Sequence, residues 1–242
     1  MQGDPTPRYA LHYWPVMFRG QFVRATLAHA GAAWDEADID AVAQAMSEDP
    51  QDQPVPFMGP PVLTDRQAGV MLAQMPAILD YLAHVHGLMP GDPARDALTR
   101  KVVADANDVL MEMTRHNGAQ MWTTEAWADY VPRLSRWMGI FDETGRRHGL
   151  TEGGGTLLGT EAHGLADLVT HVLWGTMTDT LPALRPLFER TAPALAALSD
   201  RVGALPEQAA LHARSVEAWG EAWCGGQIEA SLRAAIAAQA TG

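Results

Sequence analysis

Residues Gly59 to Leu63 read GPPVL. Two consecutive prolines stand directly before a β-branched residue, in a place where the flanking pattern asks for a strand, although proline removes the N–H that a strand's ladder uses. Downstream, Val62-Leu63 and Gly69 to Leu72 bracket the turn-like Thr64 to Ala68, so the prolines open a hairpin. Pro76 to His86 then reads as a helix: proline suits its first turn, Ile78, Leu79, Leu82 and Val85 form an apolar stripe, and Gly87 stops it. Upstream, Tyr9 to Trp14 (YALHYW) alternates bulky and small residues as a short strand does, and Pro15 to Gly20 reads as a loop. Gln21 to Ala30 has Phe22, Val23, Ala25, Leu27 and Ala30 at helical spacing, with Gly31 as a left-handed stop. Asp35 to Pro56 is acidic, glutamine-rich and punctuated by Pro50, Pro54 and Pro56, which predicts a second strand followed by a long irregular loop. The order around the prolines is therefore β-α-β, then β-β-α.

From Asp92 onward the texture changes to long helices. Asp92-Pro93 supplies an N-cap and a first-turn proline for a helix running to about Asn117. Further helices begin near Thr124, Leu165, Pro193 and Glu207, and Gly153 to Gly155 marks a loop. The junction at Leu88 to Gly91 is read as a domain boundary, with an α/β domain over residues 1–88 and an all-helical domain over residues 89–242. At 242 residues and 47% hydrophobic content the chain can bury a substantial core. Its 29 acidic and 17 basic residues give a net charge of -12, which repels phosphate backbones and anionic lipid and argues against nucleic-acid or membrane partners. One cysteine, Cys224, leaves no disulfide framework and no thiolate zinc site. The N-terminus carries no basic-then-apolar leader, and no apolar run reaches the ~18 residues of a membrane span, so a soluble cytoplasmic protein is expected.

Several motifs then appear in a telling order. Tyr13-Trp14, Arg19-Gly20, Arg24 and Leu27-Ala28 resemble the first strand, tyrosine, Arg-Gly turn and first helix of the cytosolic glutathione transferases, with Met17 and Phe18 read as an insertion in the loop. Gln74-Met75-Pro76-Ala77-Ile78, followed by Asp80-Tyr81-Leu82, resembles the family's Gln-Ser-x-x-Ile segment. Leu157-Leu158-Gly159 and Leu165-Ala166-Asp167-Leu168 resemble the motif that starts the family's central buried helix, with Gly164 where serine or threonine is usual. The resemblance runs over nearly the whole chain and points to tyrosine-type members, similar to the sigma, pi and mu-like classes.

That resemblance implies a thioredoxin-like N-terminal domain, βαβ-ββα with a cis-proline, followed by the all-helical glutathione-transferase C-terminal domain. Pro61 falls where the family's cis-proline precedes the third strand, and Pro60 becomes the residue presented to the ligand; cis geometry is almost confined to X-Pro bonds. The family implies glutathione as co-substrate without a metal, a small hydrophobic electrophile as acceptor, a homodimer and a role in detoxification. On the same resemblance Tyr13 is catalytic, its hydroxyl donating to the glutathione sulfur, while Trp14, Arg19, Pro60, Pro61, Gln74, Met75 and Asp108 bind glutathione. Gln74 would hold the γ-glutamyl end beside a helix N-terminus, whose free N–H groups and dipole favour a carboxylate. Met75 lacks the usual hydroxyl but keeps its N–H, and Pro60 offers the cysteinyl unit a carbonyl without an N–H. Gln21 stands where several classes carry an arginine. Asp108 lies near where the family sends an acidic residue across the dimer interface, and Asp105 competes for that part.

Each residue also has an ordinary reading. Tyr13 is then a strand tyrosine filling a core, with Tyr9 four residues earlier as an alternative hydroxyl. Arg19 is a solvated turn residue and Asp108 an exposed helix carboxylate. His84, His86, His163 and His171 form no ligand spacing. Met111, Met113, Met121 and Trp122 are core by default, or line an apolar acceptor pocket. No cysteine stands at the end of the first strand, which argues against cysteine-type disulfide exchange. Conjugation therefore stands beside two alternatives on one fold: a protein that binds glutathione or a hydrophobic ligand without turnover, and a structural partner domain.

Overall fold

The computed structural model describes residues 6–240. Part of the N-terminal stretch read for a leader lies outside them. Strand β1 (Tyr9–His12) leads through a loop into helix α1 (Arg19–His29), then to β2 (Trp34–Glu36) and helix α2 (Ile39–Ser47). Strands β3 (Val62–Asp65) and β4 (Val70–Ala73) and helix α3 (Met75–Val85) complete this part. The four strands form one sheet in the order β2-β1-β3-β4, with β2 parallel to β1 and the other pairs antiparallel. A parallel pair needs a crossover, and α1 provides it. The Pro60-Pro61 peptide bond is cis.

Helix α2 replaces the irregular loop that the sequence suggests between β2 and β3. Asp38 caps it by accepting the Asp40 N–H; Ile39, Val42, Ala43 and Met46 stand at helical spacing, yet only Val42 is buried. The turn after β3 is held by Asp65, which is 1% exposed and accepts from the Arg8 guanidinium, the Tyr81 hydroxyl and the amides of Gln67 and Ala68. Its bonds to Arg8, ahead of the others, hold its carboxyl well below the usual carboxylate range. One side chain thus ties β1, the β3–β4 turn and α3 together.

The helical part comprises α4 (Pro93–Met113), α5 (Thr124–Arg147), α6 (residues 165–180), α7 (Arg185–Thr191), α8 (Pro193–Gly203), α9 (Pro206–Trp219) and α10 (Gly226–Ala240). Asp92 caps α4 and Thr123 caps α5. Helix α4 stops short of the expected Asn117, because Arg115, His116 and Asn117 take left-handed conformations, with φ of 45, 59 and 55°. Helix α6 contains a π-helical turn over His171–Thr176.

The start of α6 explains the glycine at its cap. The Asp167 carboxylate, 1% exposed, accepts the N–H groups of Leu157 at 2.7 Å and Gly164 at 3.0 Å. A Cβ on Gly164 would lie 2.8 Å from the Leu88 carbonyl oxygen, the same oxygen that accepts the Leu165 N–H at 3.0 Å. The linker backbone occupies the place where a serine or threonine side chain would sit. One apolar core joins both parts of the chain, and α1 packs against α3, α6 and α9.

Candidate active site

The sheet register gathers the candidate residues at one edge. His12 pairs with Val62 and Val62 with Ala73, so the next residues outward are Tyr13, Pro61 and Gln74. Tyr9 pairs with Asp65 at the opposite end, is fully buried, and its hydroxyl meets His86 Nε2 at 2.9 Å. Of the two tyrosines on this strand, only Tyr13 stands beside the prolines.

Tyr13 is 5% exposed, and its hydroxyl oxygen accepts the Arg19 backbone N–H at 3.0 Å, at the first turn of α1. The N-cap residue of that helix, Phe18, offers no side-chain acceptor, so the phenol oxygen caps it. Burial pushes the Tyr13 pKa up to about 12, outweighing the opposite pull of the Arg19 and Arg24 charges and the Arg19 and Gly20 N–H groups. The phenol therefore keeps its proton at neutral pH. That proton has no acceptor among the hydrogen bonds of the described residues, which leaves it free to be donated. Gly20 allows the geometry: a Cβ there would stand 2.3 Å from Tyr13 Cδ1.

Arg19 extends from the same turn toward α4, where its Nε donates to Asn107 Oδ1 at 3.4 Å, and its guanidinium lies 4.9 Å from the Phe18 ring centroid. Among the described residues no carboxylate pairs with it, and burial lowers its pKa. A partly buried cation beside a proton-donating phenol favours an anion. Arg24, 1% exposed, braces the loop from behind: it donates to the carbonyls of Trp14 and Val16 and, through two nitrogens, to the Glu36 carboxylate.

The loop after Tyr13 is no solvent excursion. Met17 and Phe18 are 1% and 6% exposed, the Met17 N–H donates to the Ala222 carbonyl at 3.0 Å, and Phe18 meets Trp223 edge-on with centroids 5.0 Å apart. The next residue, Cys224, has its thiol pushed up to about 12, first by burial and then by the Glu229 charge, so it is a poor nucleophile. Neither Asn107 nor the 222–224 segment carries a sequence signal for this site; only three-dimensional proximity reveals them.

A family model, "Glutathione S-transferase, C-terminal domain", matches residues 98–235, more than half of the chain. The chain belongs to the glutathione S-transferase family. Hematopoietic prostaglandin D synthase of Gallus gallus is 27% identical over 207 residues, covering 84% of this chain and 94% of that protein. Among solved structures, a pi-class glutathione S-transferase of Onchocerca volvulus matches with a TM-score of 0.70 at 19% identity, covering 87% of this chain and 95% of that one. NaGST-2 matches with a TM-score of 0.67 at 20% identity over 85% and 96% of the two chains. These structural likenesses bear on the fold: the thioredoxin-like sheet with a helical C-terminal part.

Within this member of the family the remaining candidates are placed unevenly. Gln74 is exposed at the N-cap of α3 with φ 75°, and no side chain caps that helix, so its first-turn N–H groups stay open toward the Tyr13 edge. The Met75 side chain is 1% exposed and points into the core, leaving only its backbone for a ligand. Pro61 is buried, while Pro60 and Trp14 are half-buried. Asp108 is exposed on α4 without an ion-pair partner among the described residues, whereas Asp105 pairs with Lys101. Gln21 is turned away, donating to Ser215 on α9 at 3.2 Å. Met113 and Trp122 are buried core, Met111 is half-buried and Met121 exposed. Among the described residues no three metal-ligating side chains come together, and no helix is long and apolar enough to cross a membrane.

Proposed function

We propose that this chain is a glutathione transferase that activates the glutathione thiol for attack on a small hydrophobic electrophile, with Tyr13 as the catalytic residue. The observation that carries the reading is the Tyr13 hydroxyl, protonated, buried, and fed by the Arg19 N–H at 3.0 Å. A free thiol with a pKa of ~8.5 is only a few per cent thiolate near neutrality. A hydroxyl donating to the sulfur stabilises the thiolate over the thiol, and the unpaired Arg19 cation favours the same charge. The thiolate then attacks the electrophilic carbon, the C–S bond forms as the leaving group departs with its electron pair, and the thiol proton passes to solvent.

Glutathione would lie along the sheet edge, with its γ-glutamyl end at Gln74 and the open N–H groups of α3 and its cysteinyl unit against the Pro60 carbonyl. Trp14, Arg19 and Pro61 shape that edge, and Met75 contributes its N–H. Asp108, exposed and unpaired, suits a contact made across a homodimer. Detoxification in the cytoplasm is the setting this chemistry fits.

Retention on immobilised glutathione, followed by assay with 1-chloro-2,4-dinitrobenzene, tests the reading. Tyr13→Phe should cut turnover roughly ten- to a hundredfold, the scale of ~1.4 to 2.7 kcal/mol for a charge-assisted hydrogen bond, while glutathione affinity changes little. An unchanged rate removes Tyr13 from the chemistry. Retention without turnover in the parent protein moves the function to ligand binding.

A further inference from the structure

Arg19 is tied to the candidate site twice. Its backbone N–H feeds the Tyr13 hydroxyl at 3.0 Å, and its side chain crosses to α4, where Nε donates to Asn107 Oδ1 at 3.4 Å. That is the guanidinium's one hydrogen bond among the described residues, so the N–H groups of its two terminal nitrogens are uncommitted. The titratable groups whose charges bear on it are the Tyr13 phenol and the Cys224 thiol, and burial keeps both neutral at physiological pH.

Asn107 stands in the run Asp105-Ala106-Asn107-Asp108. An α-helix turns by about 100° per residue, so the two acids point away from the side that Asn107 occupies. Asp105 pairs with Lys101, and Asp108 is exposed without an ion-pair partner among the described residues. Val103 and Leu110, each about one turn from Asn107, are buried, so this side of α4 faces inward. A helix with acids at neighbouring positions thus presents an uncharged amide to Arg19. The contrast is Arg24, whose Nε and Nη2 reach the Glu36 carboxylate at 2.8 and 2.9 Å. An aspartate at position 107, of the same shape as asparagine, would answer the Arg19 charge in the same way. The amide holds the cation and leaves its charge available.

We propose that Asn107 is a positioning residue: it holds the Arg19 guanidinium beside Tyr13 without neutralising it, and the site thereby prefers a negatively charged sulfur group over a neutral one. This rests on glutathione occupying the Tyr13 edge. The probes are glutathione sulfonate, whose sulfur group is an anion, and S-methylglutathione, whose sulfur is neutral, each titrated calorimetrically into the full-length protein at neutral pH. The readout is the ratio of the two affinities, because a general disturbance of the site weakens both ligands alike. The parent should favour the sulfonate. Asn107→Asp should lower that preference roughly tenfold, and Asn107→Leu, which keeps the size and drops the acceptor, roughly threefold. Since Asn107 acts through Arg19, Asn107→Leu should change nothing further in an Arg19→Gln protein. A parent that binds both ligands equally, or an unchanged ratio in Asn107→Asp, overturns the proposal and leaves the glutathione reading standing. So does a full Asn107→Leu effect in the absence of Arg19. Failure of the parent to bind either ligand refutes the glutathione reading, and the proposal with it.

Discussion

Gly164→Ser would give α6 the hydroxyl cap that its place in the motif invites, and by helix preference alone the change should be neutral or stabilise by a few tenths of a kcal/mol. The surroundings reverse that sign. A Cβ at this position meets the Leu88 carbonyl oxygen at 2.8 Å, and a backbone oxygen cannot swing aside as a side-chain end does. The same oxygen holds the Leu165 N–H at 3.0 Å, so pushing it away stretches a hydrogen bond worth ~0.5 to 1.5 kcal/mol. Overpacking of a tight contact costs ~1 to 3 kcal/mol in general, and the new hydroxyl recovers little, because Asp167 already serves the Gly164 and Leu157 amides. The net expectation is a loss of ~1 to 3 kcal/mol. Urea unfolding at fixed protein concentration should show a lower midpoint with an unchanged slope, and Gly164→Ala, with the same Cβ and no hydroxyl, should be at least as destabilised. A serine variant as stable as the parent would refute the claim that the linker carbonyl excludes a side chain here.

Three further outcomes follow from other sites. Gly20→Ala places a Cβ 2.3 Å from Tyr13 Cδ1; conjugation measured with an aryl halide should fall at least tenfold with folding intact, and an unaffected rate would mean the ring can shift without consequence. Pro60→Val restores a backbone N–H, worth ~0.5 to 1.5 kcal/mol or roughly two- to tenfold in affinity; calorimetric titration showing equal or weaker glutathione binding in a folded variant would dismiss that backbone contact. Burial lowers the His171 pKa from 6.5 to about 4, so the unfolded chain binds a proton that the folded chain refuses. Stability from this group is complete above pH 6.5 and drains as pH falls toward 4, by up to ~3 kcal/mol, while Asp179, raised by burial, acts in the opposite sense. His171→Gln should flatten the urea-derived stability between pH 6.5 and 4.5, and an unaltered slope would acquit the histidine.

Much of this architecture is legible wherever a local pattern carries it. The stripe of Ile78, Leu79 and Leu82 behind a first-turn proline marks α3, and all three are buried. The double proline and turn residues mark β3 and β4, whose register with β1 then sets Tyr13, Pro61 and Gln74 side by side. Features built from distant partners leave no such trace. Met17 and Phe18 read as an insertion because Ala222 and Trp223, which bury them, lie at the other end of the sequence. Gln21 stands at a position associated with the ligand, yet Ser215 claims its amide. Helix α2 has Ile39, Val42, Ala43 and Met46 at helical spacing inside an acidic, glutamine-rich stretch that reads as a loop, and nothing local announces that Arg115, His116 and Asn117 turn left-handed.

The contact between Met17 and Ala222 also sets an order of assembly. On a ribosome the four strands of the sheet would all emerge early, and their pairings are short-range enough to close at once. The loop that carries Tyr13 would still lack its inner wall, because Trp223 is synthesised long after it. Joining segments so far apart carries a large loop-closure entropy and belongs to a late stage of folding. The sheet can therefore exist before the site does, and competence to handle a ligand waits for the segment that walls the loop.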